Sequence, residues 1–311
     1  MTGYLTTVDG EVWRLPPLLS WDVVRTDGTA CDSAAFTFLY EPNYLSVLKK
    51  AHRFRLAEEE TTVLCGVVDD FSARVGDSGR LVTLNGRGMG ALLLDNQLRA
   101  AEFASLQRED AIARFVRPFG ITKVQGGAMA PVADFSVTTG MTAWQALCGY
   151  CLHSAGCVPR FSADGTLLLD GGRHGAWRLP GTAAFQGLTY ERRRYGVISR
   201  QLMLSGSRVA ADVENAPFIA LGGSALRVDK QSGKGIRATW RTAAQRVADS
   251  MKNAALLTVT LGGRIDCEPG DTVTVEMAEH GITGRFRLRS CRESYLAGQR
   301  SCLLELEGEM D

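Results

Sequence analysis

The chain of 311 residues predicts a mixed, mainly β fold, with a small β-barrel at each end and an α/β module between them. Three observations carry that prediction. Residues 11–88 break into short apolar runs separated by turn chemistry, and short strands at this spacing with little helix between them mark a barrel or sandwich. Residues 142–154 change to a helical period. The last quarter returns to strands: a run at 257–261 leads through Asp266-Cys267-Glu268-Pro269-Gly270-Asp271-Thr272-Val273-Thr274-Val275 into two alternating segments. The expected limits are 1–93 for the first barrel, 94–190 for the module and 191–311 for the second barrel, with strands at about 196–228 offered as a completion of the first.

In chain order, strands are expected at 11–15, 21–26, 34–40, 54–60, 61–73 and 81–85. Asp27-Gly28, Asp77-Ser78-Gly79 and Asn85-Gly86 supply turns between several of them, and 43–50 reads as a helical turn or a loop. Ala91, Leu92, Leu93 and Leu94 begin a helix that the polar Asp95-Asn96-Gln97 interrupts, and 109–116 reads as another, ending near Pro118 and Gly120. Residues 120–131 are glycine-rich and irregular, and Phe135 and Val137 give a short extended piece. Thr138 or Thr139 is placed to cap the helix at 142–154, whose Ala143, Trp144, Leu147, Tyr150 and Cys151 share one face and which Gly156 ends. A hairpin over 158–170 turns around Ala163-Asp164-Gly165. Extended segments follow at 187–190, 197–205 and 224–228, then a helix at 242–255.

The final hairpin joins 284–295 to 300–307 at Ala297-Gly298-Gln299, where glycine supplies a positive φ. Alternation puts Phe286 and Leu288 on one face and Arg285, Arg287 and Arg289 on the other. On the return strand Leu304 and Leu306 oppose Leu303, Glu305 and Glu307. A turn centred on Gly298 sets Arg289 opposite Glu307, so the arginine row reads as a solvated face with cross-strand ion pairs or as a row that binds a partner.

Composition excludes several classes. Lys plus Arg total 35 against 34 for Asp plus Glu, which gives no electrostatic pull toward nucleic acid or an anionic membrane. No stretch approaches the roughly 20 apolar residues of a bilayer span. Residues 1–14 contain Asp9 and Glu11 and lack the apolar core of a secretory signal, so synthesis is expected in the cytoplasm. The eight cysteines, Cys31, Cys65, Cys267, Cys291 and Cys302 among them in apolar or strand-like runs, read as small buried hydrophobes of a reducing compartment.

Cys148, Cys151, His153 and Cys157 are four potential zinc ligands within ten residues. The first three would diverge from one continuous helix, and no second ligand pair follows, so core cysteines are the expected reading. A cysteine nucleophile with His153 or His174 as its base would require proximity in space that spacing does not show. Asp69-Asp70 resembles an acid/base pair, but adjacent strand residues point to opposite faces. Gly86-Arg87-Gly88-Met89-Gly90 lies between a strand and a helix like a phosphate loop, without the Gly-Lys-Ser/Thr ending. Arg192-Arg193-Arg194 reads as a solvated turn or as a dock for an acidic neighbour. No Gly-x-Ser-x-Gly elbow, His-Glu-x-x-His or P-loop is present.

The order of elements resembles the baseplate hub proteins of contractile phage tails and of phage-tail-like particles, the late control D-like family. Leu64-Cys65-Gly66-Val67-Val68-Asp69-Asp70, then Leu81-Val82-Thr83-Leu84-Asn85-Gly86-Arg87-Gly88 and Ala91-Leu92-Leu93-Leu94-Asp95-Asn96, looks like that family's strand, strand, Gly-Arg corner and helix. The Trp144 helix with its Asp164-Gly165 hairpin, and Pro269-Gly270-Asp271 leading to Gly284-Arg285-Phe286-Arg287-Leu288, are similar as well. The resemblance implies two tube-protein-like barrels, a homotrimeric ring in which six barrels imitate a six-fold tail tube, and adaptation of that ring to a three-fold spike. Implied partners are the chain itself, the central spike and a tail tube or tube-initiator protein, with baseplate wedge and tape-measure proteins nearby. It implies no enzyme activity, no cofactor, no specific nucleic-acid binding and no stable membrane insertion. Arg285, Arg287, Arg289, Arg192, Arg193 and Arg194 are the candidate interface residues. Competing expectations are another tail component, such as a tube-to-hub adaptor, and a cell-wall-degrading enzyme.

Overall fold

The computed structural model describes the chain except residues 29–30, 77–78, 173, 231–235, 238–240, 253 and 309–311, and gives the backbone alone at 236–237. The turn expected at Asp77-Ser78 therefore lies outside the described residues. The protein is mainly β, and thirteen of its strands belong to one sheet. That sheet begins at Phe185–Arg192 and runs through Ala255–Gly262, Gln299–Gly308 and Ile282–Leu296. It continues through Leu18–Thr26, Ser33–Leu39, Gly79–Gly88, Thr61–Gly76, Ala51–Glu58 and Thr2–Thr7 to Val12–Arg14. Thr272–Met277 pairs with Ile282–Leu296 on one side and with the parallel Ala176–Pro180 on the other.

The sheet encloses two separate cores. Alternation along the N-terminal strands sends Leu5, Trp21, Phe36, Phe38, Phe54, Leu56 and Leu84 into one of them. Leu257, Val259, Val273, Leu288, Leu304 and Leu306 fill the other. Fully buried side chains such as Phe36 and Phe38 each contribute about 2 kcal/mol relative to exposure, so each barrel has its own apolar driving force.

One strand joins the two barrels. Ile282–Leu296 has 15 residues, a reach of about 50 Å. Its first part pairs with Thr272–Met277 in the second barrel, and its last part, from Ser290, pairs with Leu18–Thr26 in the first. The register against Gln299–Gly308 shifts between Leu288 and Ser290, which makes Arg289 a bulge. The extra residue reverses the inward face, from Phe286 and Leu288 before it to Cys291 and Glu293 after it. The expected register is corrected accordingly, since Arg287 and not Arg289 lies directly opposite Glu307, but the expected ion pair is present across the bulge, Arg289 reaching Glu307 at 3.6 Å. The turn itself is the two residues Ala297 and Gly298, with φ of 52° and 84°, the twist that a two-residue hairpin loop needs.

The middle module is a three-stranded sheet of Ala101–Leu106, Val132–Val137 and Ile236–Arg237 with the helices Arg108–Phe115 and Ala143–Ala155 packed on it. Phe135, Tyr150, Trp144, Leu147 and Ile112 meet in its core. The helix cap is Thr142, not Thr138 or Thr139: its hydroxyl accepts the Gln145 backbone N–H at 3.1 Å, and the Gln145 side chain accepts the Thr142 N–H at 3.0 Å. A second small sheet pairs Arg160–Phe161, Leu167–Leu168 and Val124–Gln125.

Strands within 196–228 do not complete the first barrel. Arg200–Ser205 pairs with Arg208–Glu214 and Leu226–Lys230 in a sheet of their own, against which the helix Ala243–Met251 packs. The physical reason is occupancy: Ser290 to Leu296 already fill the edge of Leu18–Thr26 where a completing strand would bind. The helix expected over 242–255 stops at Met251, because Ala255–Gly262 is drawn into the second barrel between Phe185–Arg192 and Gln299–Gly308.

Candidate assembly interface

Several residues that look chemical in the sequence have structural work in the fold. Burial pushes the Cys148 thiol up to about 12 and the Cys151 thiol higher still. Cys157 donates its thiol to the Leu169 carbonyl at 3.4 Å. Among the described residues, no three His, Cys, Asp or Glu side chains converge to hold a metal ion, so Cys148, Cys151, His153 and Cys157 are not brought together as a ligand set. His174 packs on the Gly270 turn, where a Cβ would overlap its ring; burial, then Arg160 and Arg287, lowers its pKa.

Asp69 and Asp70 are held by different partners. Arg87 grips Asp69 through two nitrogens at 2.8 Å each and reaches Asp95 at 2.7 and 3.0 Å, while Asn85 donates to Asp70 at 2.7 Å. These bonds clamp the short helix Ala91–Leu94 to the strand pair before it. The neighbouring glycines serve close packing: a Cβ on Gly66 would lie 1.9 Å from the Arg87 carbonyl oxygen, and one on Gly86 would meet the Phe54 ring at 2.5 Å.

The seam between the barrels carries a buried ion network that alternation alone hides. Glu293, 3% exposed, accepts from Arg25 at 3.0 Å and from Arg300 at 2.6 Å. Arg25 also reaches Glu268 at 2.7 Å, and Arg300 reaches Glu58 at 2.7 Å. Arg25 and Glu58 belong to the first barrel, whereas Glu268, Glu293 and Arg300 belong to the C-terminal segment. Burial opposes the charges of Glu58 and Arg25. Arg300 and Arg264 nevertheless hold the Glu58 carboxyl below its ordinary range, and Glu268 and Glu293 hold the Arg25 guanidinium above its own. Beyond this network Tyr295 stacks on Trp21, with ring centroids 6.1 Å apart, and so enters the first core.

The two arginine clusters of the sequence meet in part. Arg193 and Arg289 line one cleft of about 410 Å³ with Tyr195, Asp249 and Lys252. Tyr195 is fully exposed. Arg193 pairs with Glu191 at 2.5 Å, Lys252 with Asp249 at 2.7 Å, and Arg289 with Glu307 at 3.6 Å, so the cleft wall is an array of locally paired charges. Arg287 pairs with Asp27 at 2.5 Å, Arg285 is exposed, Arg192 stands at the end of its strand, and Arg194 donates to the Leu221 carbonyl. Lys252 and Tyr195 escaped the sequence reading because neither lies in a charge run. An apolar rim also escaped it: Leu19, Leu39, Val75 and Leu296 are exposed at the end of adjacent first-barrel strands, as the pairings Ser20 with Leu296, Leu18 with Phe38, Leu39 with Leu81 and Val75 with Arg80 show. Exposed apolar positions clustered in this way are the ordinary material of protein interfaces.

The sequence matches no protein-family model and no curated protein. Its fold does match solved structures. A tail protein from Neisseria meningitidis superposes with a TM-score of 0.78 at 19% identity, covering 99% of this chain and 96% of that one. The 43 kDa tail protein of prophage MuSo2 from Shewanella oneidensis gives 0.76 at 15% identity over 100% of both chains. An E. coli component of the type VI secretion system, described as structurally similar to the T4 bacteriophage tail proteins gp27 and gp5, gives 0.53 at 11% identity over 93% of this chain and 73% of that one. The chain thus has the fold of phage tail proteins.

Proposed function

We propose that the protein is a structural baseplate hub of a contractile tail or tail-like particle, forming a homotrimeric ring that adapts a six-fold tube to a three-fold spike. The observation that carries this reading is the fusion of two barrels, each with its own core, into one sheet through Ile282–Leu296. A unit with two barrels held in fixed relation supplies six barrels when three copies close a ring, and closed cyclic symmetry is the usual solution for such assemblies. The fold shared with tail proteins supports it. The apolar rim of Leu19, Leu39 and Leu296 and the charged cleft of Arg193 and Arg289 suit contact surfaces better than a reaction chamber.

The test is the native mass of the purified protein, alone and co-expressed with a spike protein encoded beside it. A mass near three times 33.7 kDa, or a complex with three copies of each chain, is the expected result. A monomer that also ignores the spike overturns the proposal.

A further inference from the structure

Three of the eight cysteines meet in the core of the second barrel, next to the seam. Cys291 and Cys302 stand on the paired strands of the C-terminal hairpin, are fully buried, and hold their sulfurs 3.5 Å apart. The register sets Cys291 across from Leu304 and Cys302 across from Glu293, so the two thiols are diagonal neighbours on the inward face. Cys267, in the turn before Thr272–Met277, lies in the same buried cluster, and the Arg25 guanidinium lies 3.9 Å from the Cys291 sulfur. The neighbouring thiols of Cys267 and Cys302 hold the Cys291 thiol below its ordinary range against burial, with the Arg25 charge adding to them, while the same contacts push Cys267 and Cys302 up. Free cysteines are ordinary core fillers. A buried cation and two thiols converging on one sulfur are the setting of a reactive one.

We propose that Cys291 is a peroxide-reactive site and that Cys302 resolves it, closing a cross-strand disulfide in the hairpin that joins the two barrels. The Cys291 thiolate attacks one peroxide oxygen; the O–O bond breaks, leaving a sulfenic acid on Cys291 and a hydroxide that takes up a proton. The Cys302 sulfur then attacks the sulfenic sulfur, the S–O bond breaks, and the oxygen leaves as water with the thiol proton. Two thiols lose two electrons in total and one peroxide becomes two waters. The sulfurs must close from 3.5 Å to about 2.05 Å for the bond to form. Both cysteines are fully buried on strands paired along both edges, so a peroxide reaches them only when the hairpin opens from its neighbours. The bond would lie two residues beyond the Arg289 bulge, pinning the shared strand at the point where it passes from one barrel to the other. This inference does not depend on the assembly reading.

The full-length protein is treated with hydrogen peroxide while folded, quenched with catalase, then unfolded, alkylated and mapped. The expected result is loss of two of the eight alkylatable thiols, a mass lower by about 2 Da before alkylation, and a peptide linking Cys291 to Cys302. Cys302→Ser should abolish the link and leave a dimedone-reactive sulfenic acid on Cys291. Cys267→Ser should still form it. Eight alkylated cysteines after treatment overturn the proposal. So does a bond that uses Cys267 in place of Cys302, or dimedone capture elsewhere than Cys291 in Cys302→Ser.

Discussion

Replacing Glu293 with leucine tests whether the seam holds the barrels together as one unit. In the native protein this carboxylate, 3% exposed, receives Arg25 at 3.0 Å and Arg300 at 2.6 Å. Leucine fills a similar volume, so the loss is electrostatic and not a cavity. Removing one member of a buried pair costs about 3–5 kcal/mol when it strands the partner. Here Arg25 keeps Glu268 at 2.7 Å and Arg300 keeps Glu58 at 2.7 Å, which reduces the expected loss to about 2–3 kcal/mol. Urea unfolding gives the total, and a double-mutant cycle with Arg25→Met isolates the pair, with an expected coupling of about 1–3 kcal/mol. Hydrogen exchange should show protection lost on both sides of the seam, in Leu18–Thr26 and in Gln299–Gly308. A Glu293→Leu variant within about 0.5 kcal/mol of the parent, or one with protection lost on a single side, would refute the reasoning.

Other outcomes follow from local geometry. Gly66→Ala places a Cβ 1.9 Å from the Arg87 carbonyl oxygen and should cost more than about 3 kcal/mol. Gly76→Ala, with nothing within 4 Å of its Cβ, should leave the thermal midpoint nearly unchanged; equal midpoints for the two variants would contradict the close-packing account. Burial pushes Asp32 up to about 6 from 3.8, so the native state keeps a proton that the unfolded chain releases. That contribution is complete below about pH 4 and is lost as pH rises through about 6. Asp32→Asn retains an acceptor for the Thr26 N–H, which Asp32 takes at 2.9 Å. It should therefore nearly match the parent in urea at pH 4 and exceed it by about 2–3 kcal/mol at pH 8. Leu296→Asp, on an exposed barrel rim, should leave the melting temperature of the isolated chain within a few degrees while weakening self-association in sedimentation; unaltered association would remove the rim from the interface.

Much of the fold was legible because strand alternation and turn residues act locally. The hairpin at Ala297-Gly298 and the helix beginning at Ala143 are read from neighbouring residues. The bulge at Arg289 was not legible, since one extra residue leaves no mark in a run of alternating Arg and apolar positions, yet it shifts which residue lies directly opposite Glu307 and turns Glu293 inward. Glu293 and Arg25 were unreadable for the same reason: charged residues on a strand are read as facing water until their partners, here 268 positions apart, are known. The Thr142 cap was recoverable, because Thr-Ala-Trp-Gln carries the capping-box spacing. Of the candidate interface, the arginine clusters were visible in the sequence. Their meeting at Arg193 and Arg289, and the apolar rim across adjacent strands, depend on long-range pairing that spacing along the chain does not encode.

The most direct test of the central claim is electron microscopy of the protein assembled with its spike. The account predicts closed rings of three copies, each contributing two barrels in the arrangement that Ile282–Leu296 imposes, so that six barrels surround one axis. Rings of six copies, open filaments, or single copies bound to the spike would contradict it.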